Sequence, residues 1–370
     1  MPSGFPSKSR TAFIHNCCII PKMWQTAGQD RIIEFLRDSI ARSSLAHAYL
    51  LVGPPHVGKM TLALDLASAL NCGEGASPCG SCRACQRIQQ GKYPDVIVID
   101  KYAGRDQKDR RKATEIGIDT IRELLQRGSS LPPYEGNYKV YIIDDADLMS
   151  AEASNCLLKT LEEPPRHVII LLLTSQESAL LPTVVSRCQR FELKPVAIAE
   201  IENRLNKFNG LNPDKIKLLS RLSGGCLGWA ILALKDDGYL QSRDQRLTEF
   251  SGLLTRSWSE RLAYIQQMPA DRNSVEEVIK LWLSWCRDVM LLKYNCEDDV
   301  TNLDKLNDIK SWANMLTILE IKEFINSLNK MLMNLSYNAN LHLLFEVIML
   351  DMPKKEKKAD YSMNSAGVNN

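Results

Sequence analysis

The chain has 370 residues, 45% of them hydrophobic and 24% charged, the balance of a globular protein with room for more than one domain. A formal net charge of +2 argues against a strongly basic protein that coats nucleic acid, although it leaves room for a local patch. No apolar run approaches the roughly 18 residues that span a membrane, and Val168–Leu173 has the length of a buried strand.

Residues 1–22 are Ser/Pro-rich with a small apolar patch at Cys17, Cys18, Ile19 and Ile20, and they lack the apolar core and cleavage site of a secretory signal. They read either as an upstream extension of the reading frame or as a disordered tail. Asp30–Ala41 carries Ile32, Ile33, Leu36 and Ile40 at helical spacing. His47–Val52 reads as a buried strand that runs into Gly53-Pro54-Pro55-His56-Val57-Gly58-Lys59, and Met60–Leu70 as the helix after it. Val96–Asp100 and Val140–Asp144 are further strands. Ala151–Glu163 is a helix ended by Pro164-Pro165, because proline lacks the amide donor and clashes with the preceding turn. Val168–Thr174 and Arg190–Leu193 complete a set of five strands. Strands alternating with helices predict an α/β fold, a mostly parallel sheet with helices on both faces.

After Pro195 the spacing turns helical, and between residues 214 and 352 the only proline is Pro269. Ser274 and Glu277 read as a capping box. It opens a helix whose stripe is Val275, Val278, Ile279, Trp282, Cys286, Val289 and Met290. Ile321–Leu350 holds similar helical material, and Lys354-Lys355-Glu356-Lys357-Lys358 opens a polar tail predicted to be disordered.

Gly53–Lys59 fits the pattern G-x-x-x-x-G-K between a strand and a helix, the context a phosphate loop requires. Its glycines let backbone amides face phosphate oxygens, the helix N-terminus adds a favourable dipole, and Lys59 would contact the β- and γ-phosphates; ATP or ADP is the nucleotide implied. The pattern calls for Ser or Thr next, to ligate Mg2+, and here stands Met60. Thr61 is about 100° further round the helix and points elsewhere. Asp144 and Asp145 end an apolar strand, where Asp144 suits a Mg2+-bound water. Asp145 is one methylene shorter than the glutamate that usually polarises the attacking water, and a misplacement of about 1 Å costs on the order of 100-fold in rate. Nucleotide binding is therefore expected without support for Mg2+-assisted hydrolysis. The bland reading of the two aspartates is a solvated strand end.

Four of the eleven cysteines crowd together as Cys72, Cys79, Cys82 and Cys85, spaced C-x6-C-x2-C-x2-C. Two C-x-x-C steps with a fourth thiol suit a tetrahedral structural Zn2+ in a reducing compartment. Gly73, Gly75, Pro78 and Gly80 supply the turns. Reduced thiols without metal and an iron–sulfur cluster are the competing readings. The other seven cysteines show no ligand spacing and read as packing residues.

These features, with the helix Ala153–Glu163 before Pro164-Pro165 and the tripeptide Ser186-Arg187-Cys188 after Leu181–Val185, resemble the bacterial DNA polymerase III clamp loader subunits, and among them the delta-prime type. The resemblance begins at Met23-Trp24. It carries specific motifs to about residue 240 and rests on position and periodicity beyond. It implies an AAA+ module over 23–196 with a zinc insertion at 72–85, a helical lid over 197–240, an all-α collar over 241–352 and a tail from 353 to 370. It also implies that Arg187 is an arginine finger reaching a neighbour's γ-phosphate, a task for which a planar guanidinium is suited. Thr174 or Ser175 occupies the place of the sensor at the next strand end. Gly224–Ala230, where motor subunits carry a second-sensor arginine, contains none.

The implied role is a stator subunit in a cytoplasmic pentameric ring with gamma/tau and delta subunits. That ring uses ATP to open the sliding clamp and place it on primed DNA. The alternatives are a gamma/tau-type motor with its own ATPase activity, and a zinc-containing nucleic-acid-binding module with a degenerate nucleotide site. Arg105, Lys108, Arg110, Arg111 and Lys112 read as a solvated loop or a DNA-phosphate contact. Trp24 and Tyr49 read as core or as neighbours of an adenine.

Overall fold

The computed structural model describes residues 24–104, 113–208, 210–269, 271–335 and 339–353. Residues 1–22, the basic run from Arg105 to Lys112 and the polar tail beyond Pro353 lie outside them. The described residues divide into two compact units, one within Met1–Asn209 and Ser223–Ile231, the other within Gly210–Leu222 and Leu232–Asn370.

In the first unit α1 (Asp30–Ala41) precedes β1 (Ala48–Val52), and the glycine-rich loop joins β1 to α2 (Lys59–Asn71). α3 (Arg83–Gln89) and β2 (Val96–Ile99) follow. α4 (Ile118–Thr120) continues as a π-helical stretch, Ile121–Arg127, before β3 (Lys139–Ile143). Then come α5 (Ala151–Glu162), β4 (Val168–Thr174), α6 (Pro182–Val185), β5 (Gln189–Glu192) and α7 (Ile198–Leu205). The strand order is β2-β3-β4-β1-β5, and every pair is parallel.

Successive side chains of a strand point to opposite faces, and the two faces of the sheet bury different partners. Tyr49 and Leu51 join Leu36 of α1 and Leu62, Leu66 and Leu70 of α2. Ala48 and Leu50 join Ile121 and Leu125 with Leu157 and Leu161 of α5. Both faces being covered, β4 reads as seven consecutive buried residues and not as an alternating strand. Trp24 and Tyr49 lie in the first of these clusters. A parallel sheet places ligand crevices beyond the carboxyl ends of its strands. The residues after β1, β3 and β4 are Gly53, Asp144 and Ser175.

The second unit is helical: α8 (Pro213–Leu222), α10 (Asp237–Leu253), α11 (Trp258–Ile265), α12 (Arg272–Lys293), α13 (Leu306–Met315), α14 (Ile318–Leu335) and α15 (Leu341–Asp351), while α9 (Leu227–Lys235) runs across the division after Ile231. Phe250 stacks on Trp282 at 4.6 Å between ring centroids and meets Trp312 at 5.1 Å. Such pairs contribute about 0.5–1.5 kcal/mol beyond their buried area. The predicted stripe is buried from Val275 to Val289, with Met290 half-buried, and Trp285 joins it. Arg261 is buried and donates to the carbonyls of Leu253, Leu254, Met352 and Pro353, satisfying acceptors at two helix ends.

The capping box read at Ser274 and Glu277 is corrected. α12 starts three residues earlier, and the Asp271 side chain accepts from the Ser274 amide at 2.9 Å, so aspartate takes the cap and Ser274 is already helical. A reciprocal box does open α11, between Ser257 and Glu260. The first unit is an α/β module with a parallel sheet covered on both faces, and the second is all helical.

Candidate nucleotide and metal sites

The phosphate-loop sequence folds as its glycines require. The Gly53 amide donates to the Thr174 carbonyl at 3.2 Å, tying the loop's start to β4. A Cβ on Gly53 would lie 2.7 Å from the Leu193 carbonyl oxygen, so no larger residue fits. Gly58 has φ +111° and caps α2, a conformation that glycine adopts without strain. Val57 is buried in the first apolar cluster, and His56 adopts a left-handed backbone with φ 63°.

Lys59, the first residue of α2, is only 8% exposed. Its ammonium donates to the Gly53 carbonyl at 2.6 Å, the Pro54 carbonyl at 3.0 Å and the Ser175 hydroxyl at 3.0 Å. Met60 packs against the first apolar cluster. Thr61 is half-buried one position further on.

The glycine-rich stretch after α8 closes on this loop. The Gly228 amide donates to the His56 carbonyl at 3.0 Å, and a Cβ on Gly228 would lie 2.7 Å from that oxygen. Gly225, at φ +86°, passes so close to Pro195 that a Cβ would meet it at 2.5 Å. Burial pushes the nearby Cys226 thiol up, and the charge of Lys59 opposes that shift.

At the end of β3, Asp144 is buried and its amide donates to the Ile99 carbonyl at 2.9 Å. Asp145 has φ 51°, and its amide donates to Asp144 Oδ1 at 3.2 Å, making a tight left-handed turn. The two candidates at the end of β4 diverge. The Thr174 hydroxyl donates to Asp147 Oδ1 at 2.5 Å and accepts from the Gln176 amide, so it braces the strand ends. It is Ser175 that meets Lys59.

Arg187 follows α6 at the surface, its side chain 36% exposed. Its Nη2 lies 2.8 Å from Glu162 Oε1, and its Nη1 donates to the Thr183 carbonyl at 3.0 Å.

The thiols of Cys72, Cys79, Cys82 and Cys85 all lie within 4.8 Å of one another, an arrangement that can hold a metal ion. The Cys82 amide donates to Cys79 Sγ at 3.2 Å and the Cys85 amide to Cys82 Sγ at 3.4 Å. Burial pushes the Cys79 thiol up, yet the Cys82 amide and Ser81 outweigh it and bring it to about 6; burial raises Cys85. The cluster opens on the first turn of α3 and packs as a small unit of its own.

Asp65, Asp147, Glu162 and Gly228 did not stand out in the sequence. Asp65, in the middle of α2, accepts from the amide and hydroxyl of Thr26 at 2.9 and 2.7 Å, anchoring the segment before α1. Burial pushes its carboxyl up to about 6, against the Thr26 hydrogen bonds. A carboxylate inside an apolar helix stripe was the available signal.

The family model described as "DNA polymerase III, delta subunit" matches residues 28–197, and that described as "DNA polymerase III, delta subunit, C terminal" matches residues 238–354. The DNA polymerase III subunit delta' of Bacillus subtilis is 31% identical over 87% of this chain and 95% of its own length. The tau subunit of Salmonella typhimurium is 36% identical over 60% of this chain but only 34% of that protein. Among solved structures, a DNA polymerase III gamma subunit-related protein from Thermotoga maritima aligns with TM-score 0.44 and 18% identity, covering 86% of this chain and 97% of that one. The class is thus that of DNA polymerase III subunits. Within it, the chain belongs to the delta-prime family of clamp loader subunits. Among the described residues, no helix is long and apolar enough to cross a membrane.

Proposed function

We propose that this clamp loader subunit is the stator of a cytoplasmic pentameric ring with gamma/tau and delta subunits. Its contribution is to lend Arg187 to a neighbour's triphosphate while hydrolysing little ATP itself. One contrast carries the reading. Arg187 stands at the surface on an anchored backbone, whereas Lys59 is buried with its ammonium on its own loop. A nucleotide entering the loop would have to replace those carbonyls with phosphate oxygens. Ser175 would then be the polar group beside the phosphates, and Asp144 the acid nearest a Mg2+. Met60 offers that ion no oxygen, and Asp145 is short for a base. The four cysteines would hold a structural Zn2+ as thiolates, leaving no open position for water. The sliding clamp and primed DNA are met through the assembly.

The test is reconstitution with gamma/tau and delta subunits: ring formation, and ATP turnover stimulated by clamp and primed DNA that collapses in Arg187→Ala. Rings that load clamps at full speed with Arg187→Ala would end the proposal. A motor-subunit reading is favoured by the 36% identity to a tau subunit and by the complete Gly53–Lys59 pattern. Turnover on the order of 1 s⁻¹ by the isolated chain, abolished by Lys59→Ala, would select it.

A further inference from the structure

We infer that Glu162 is a positioning residue for Arg187, holding the guanidinium ready for the neighbouring triphosphate; the inference rests on the proposal that Arg187 acts in trans. Glu162 is the last residue of α5, and Arg187 lies two residues beyond α6. Leu158 and Leu161 of α5, and Val184, Val185 and Cys188 around the arginine, sink into one apolar cluster. Both backbones are thereby fixed, and the two charged side chains meet outside the cluster.

The guanidinium is held at two points, by Glu162 Oε1 at 2.8 Å on Nη2 and by the Thr183 carbonyl at 3.0 Å on Nη1. A guanidinium has five N–H donors, so two directed at its own subunit leave others to meet a phosphate. Helix energetics does not explain Glu162, because a carboxylate at a helix C-terminus opposes the helix dipole. The cation 2.8 Å away offsets that opposition. A free arginine side chain loses rotamer freedom when it engages a ligand. Glu162 makes part of that loss a property of the folded subunit, so less is lost when the ring assembles.

Both side chains are part exposed, 36% for Arg187 and 51% for Glu162, so solvent screens the pair and the effect is small. In rings reconstituted from full-length subunits, Glu162→Ala is expected to lower the clamp- and DNA-stimulated kcat by about two- to fivefold, the range an exposed pair supplies. KM for ATP stays unchanged. Glu162→Gln keeps an acceptor oxygen and recovers part of the rate. In an Arg187→Ala background, Glu162→Ala causes no further loss.

A Glu162→Ala kcat equal to or above wild type overturns the inference, and so does an equal loss in the Arg187→Ala background. In both cases the finger proposal stands if Arg187→Ala alone still reduces turnover to a small but measurable residue. Arg187→Ala at full rate overturns the finger proposal, and this inference with it. Size-exclusion elution reports assembly; loss of rings with both Ala and Gln assigns Glu162 to ring formation and also overturns the positioning role.

Discussion

Two cationic side chains of the α/β unit contrast in how the fold treats them. Lys59 is drawn inward by two carbonyls and a hydroxyl of its own site, under a loop pressed by Gly228. Arg187 is left outside, steered by one carboxylate and one carbonyl. The same sheet makes both. The loop after β1 lies beside the end of β4, and the loop's own carbonyls with Ser175 supply the acceptors. The loop before β5 borders the sheet's edge strand, and there one carboxylate and one carbonyl meet its arginine. A buried ammonium must be satisfied locally or cost several kcal/mol, whereas a surface guanidinium can stay partly unsatisfied and wait for a ligand. The contrast teaches that a phosphate-loop pattern is a backbone solution that persists with or without turnover, while an outward arginine has value only against a partner.

The largest expected effect lies at the outward cation. Arginine fingers contribute about 10³–10⁵-fold to phosphoryl transfer. Arg187→Ala should lower single-turnover hydrolysis at the adjoining site by about 10³-fold or more, and the clamp- and DNA-stimulated turnover of the ring should collapse with it. Arg187→Lys should recover little, because an ammonium cannot span two phosphate oxygens as the planar fork does.

Local pattern made most of the first unit legible. α1 and β4 run over the residues that apolar periodicity marked, Asp30–Ala41 and Val168–Thr174, and the five strands form the parallel sheet that their alternation with helices implied. The phosphate loop and the four cysteines were legible because their spacing is itself the chemistry. Pairings between distant elements were not. Asp65 and Thr26 are 39 residues apart, and Glu162 meets Arg187 only because α5 and α6 share a cluster. The choice between Thr174 and Ser175 needed the strand's pleat, which sends one hydroxyl to Asp147 and the other to Lys59. The start of α12 went to Asp271 because two good caps stood close together and sequence alone did not rank them.

The inward side can be probed at Asp65, whose hydrogen bonds pin the segment before α1 to the helix that carries Lys59. Its folded carboxyl titrates at about 6 against an ordinary 3.8, so the native state holds the proton more tightly than the unfolded chain. The stabilisation this gives is complete below about pH 3.8 and is lost as pH rises through 6. At 1.36 kcal/mol per pKa unit, the loss is on the order of 3 kcal/mol. Asp65→Asn, uncharged throughout, should be free of this component. The difference in unfolding free energy between wild type and variant, measured by denaturant titration across pH 4–7, should therefore drift in the variant's favour by about that amount. A constant difference would mean that Asp65 titrates normally.

A smaller effect is expected where glycine lets the loop close. Gly53→Ala would bring a Cβ within 2.7 Å of a backbone oxygen that β5 holds in place, and Gly228→Ala would do the same against the His56 carbonyl. Overpacking of this kind costs about 1–3 kcal/mol. Thermal unfolding of both variants should shift downward. If Gly228→Ala alone were neutral, α9 would be free to lift from the phosphate loop, and the inward site would be more open than its contacts indicate.

The smallest effect on the ring is expected from Lys59→Ala, and it separates the two cations most directly. Removing the ammonium takes its donor from the Gly53 carbonyl, at about 1–3 kcal/mol if water does not reach it, while the Pro54 carbonyl keeps the Val57 amide at 3.4 Å. The isolated chain should therefore unfold at a lower denaturant concentration. On the stator proposal, turnover by the reconstituted ring should change less than about twofold, because the working triphosphates would be bound by neighbours and would meet Arg187, which this substitution does not touch. Stability and activity thus move apart at Lys59. At Arg187 they should move apart in the opposite sense, with a near-normal melting curve and a failing ring. A tenfold loss of ring turnover with Lys59→Ala, at unchanged assembly, would instead make the inward loop a working nucleotide site and erase the contrast.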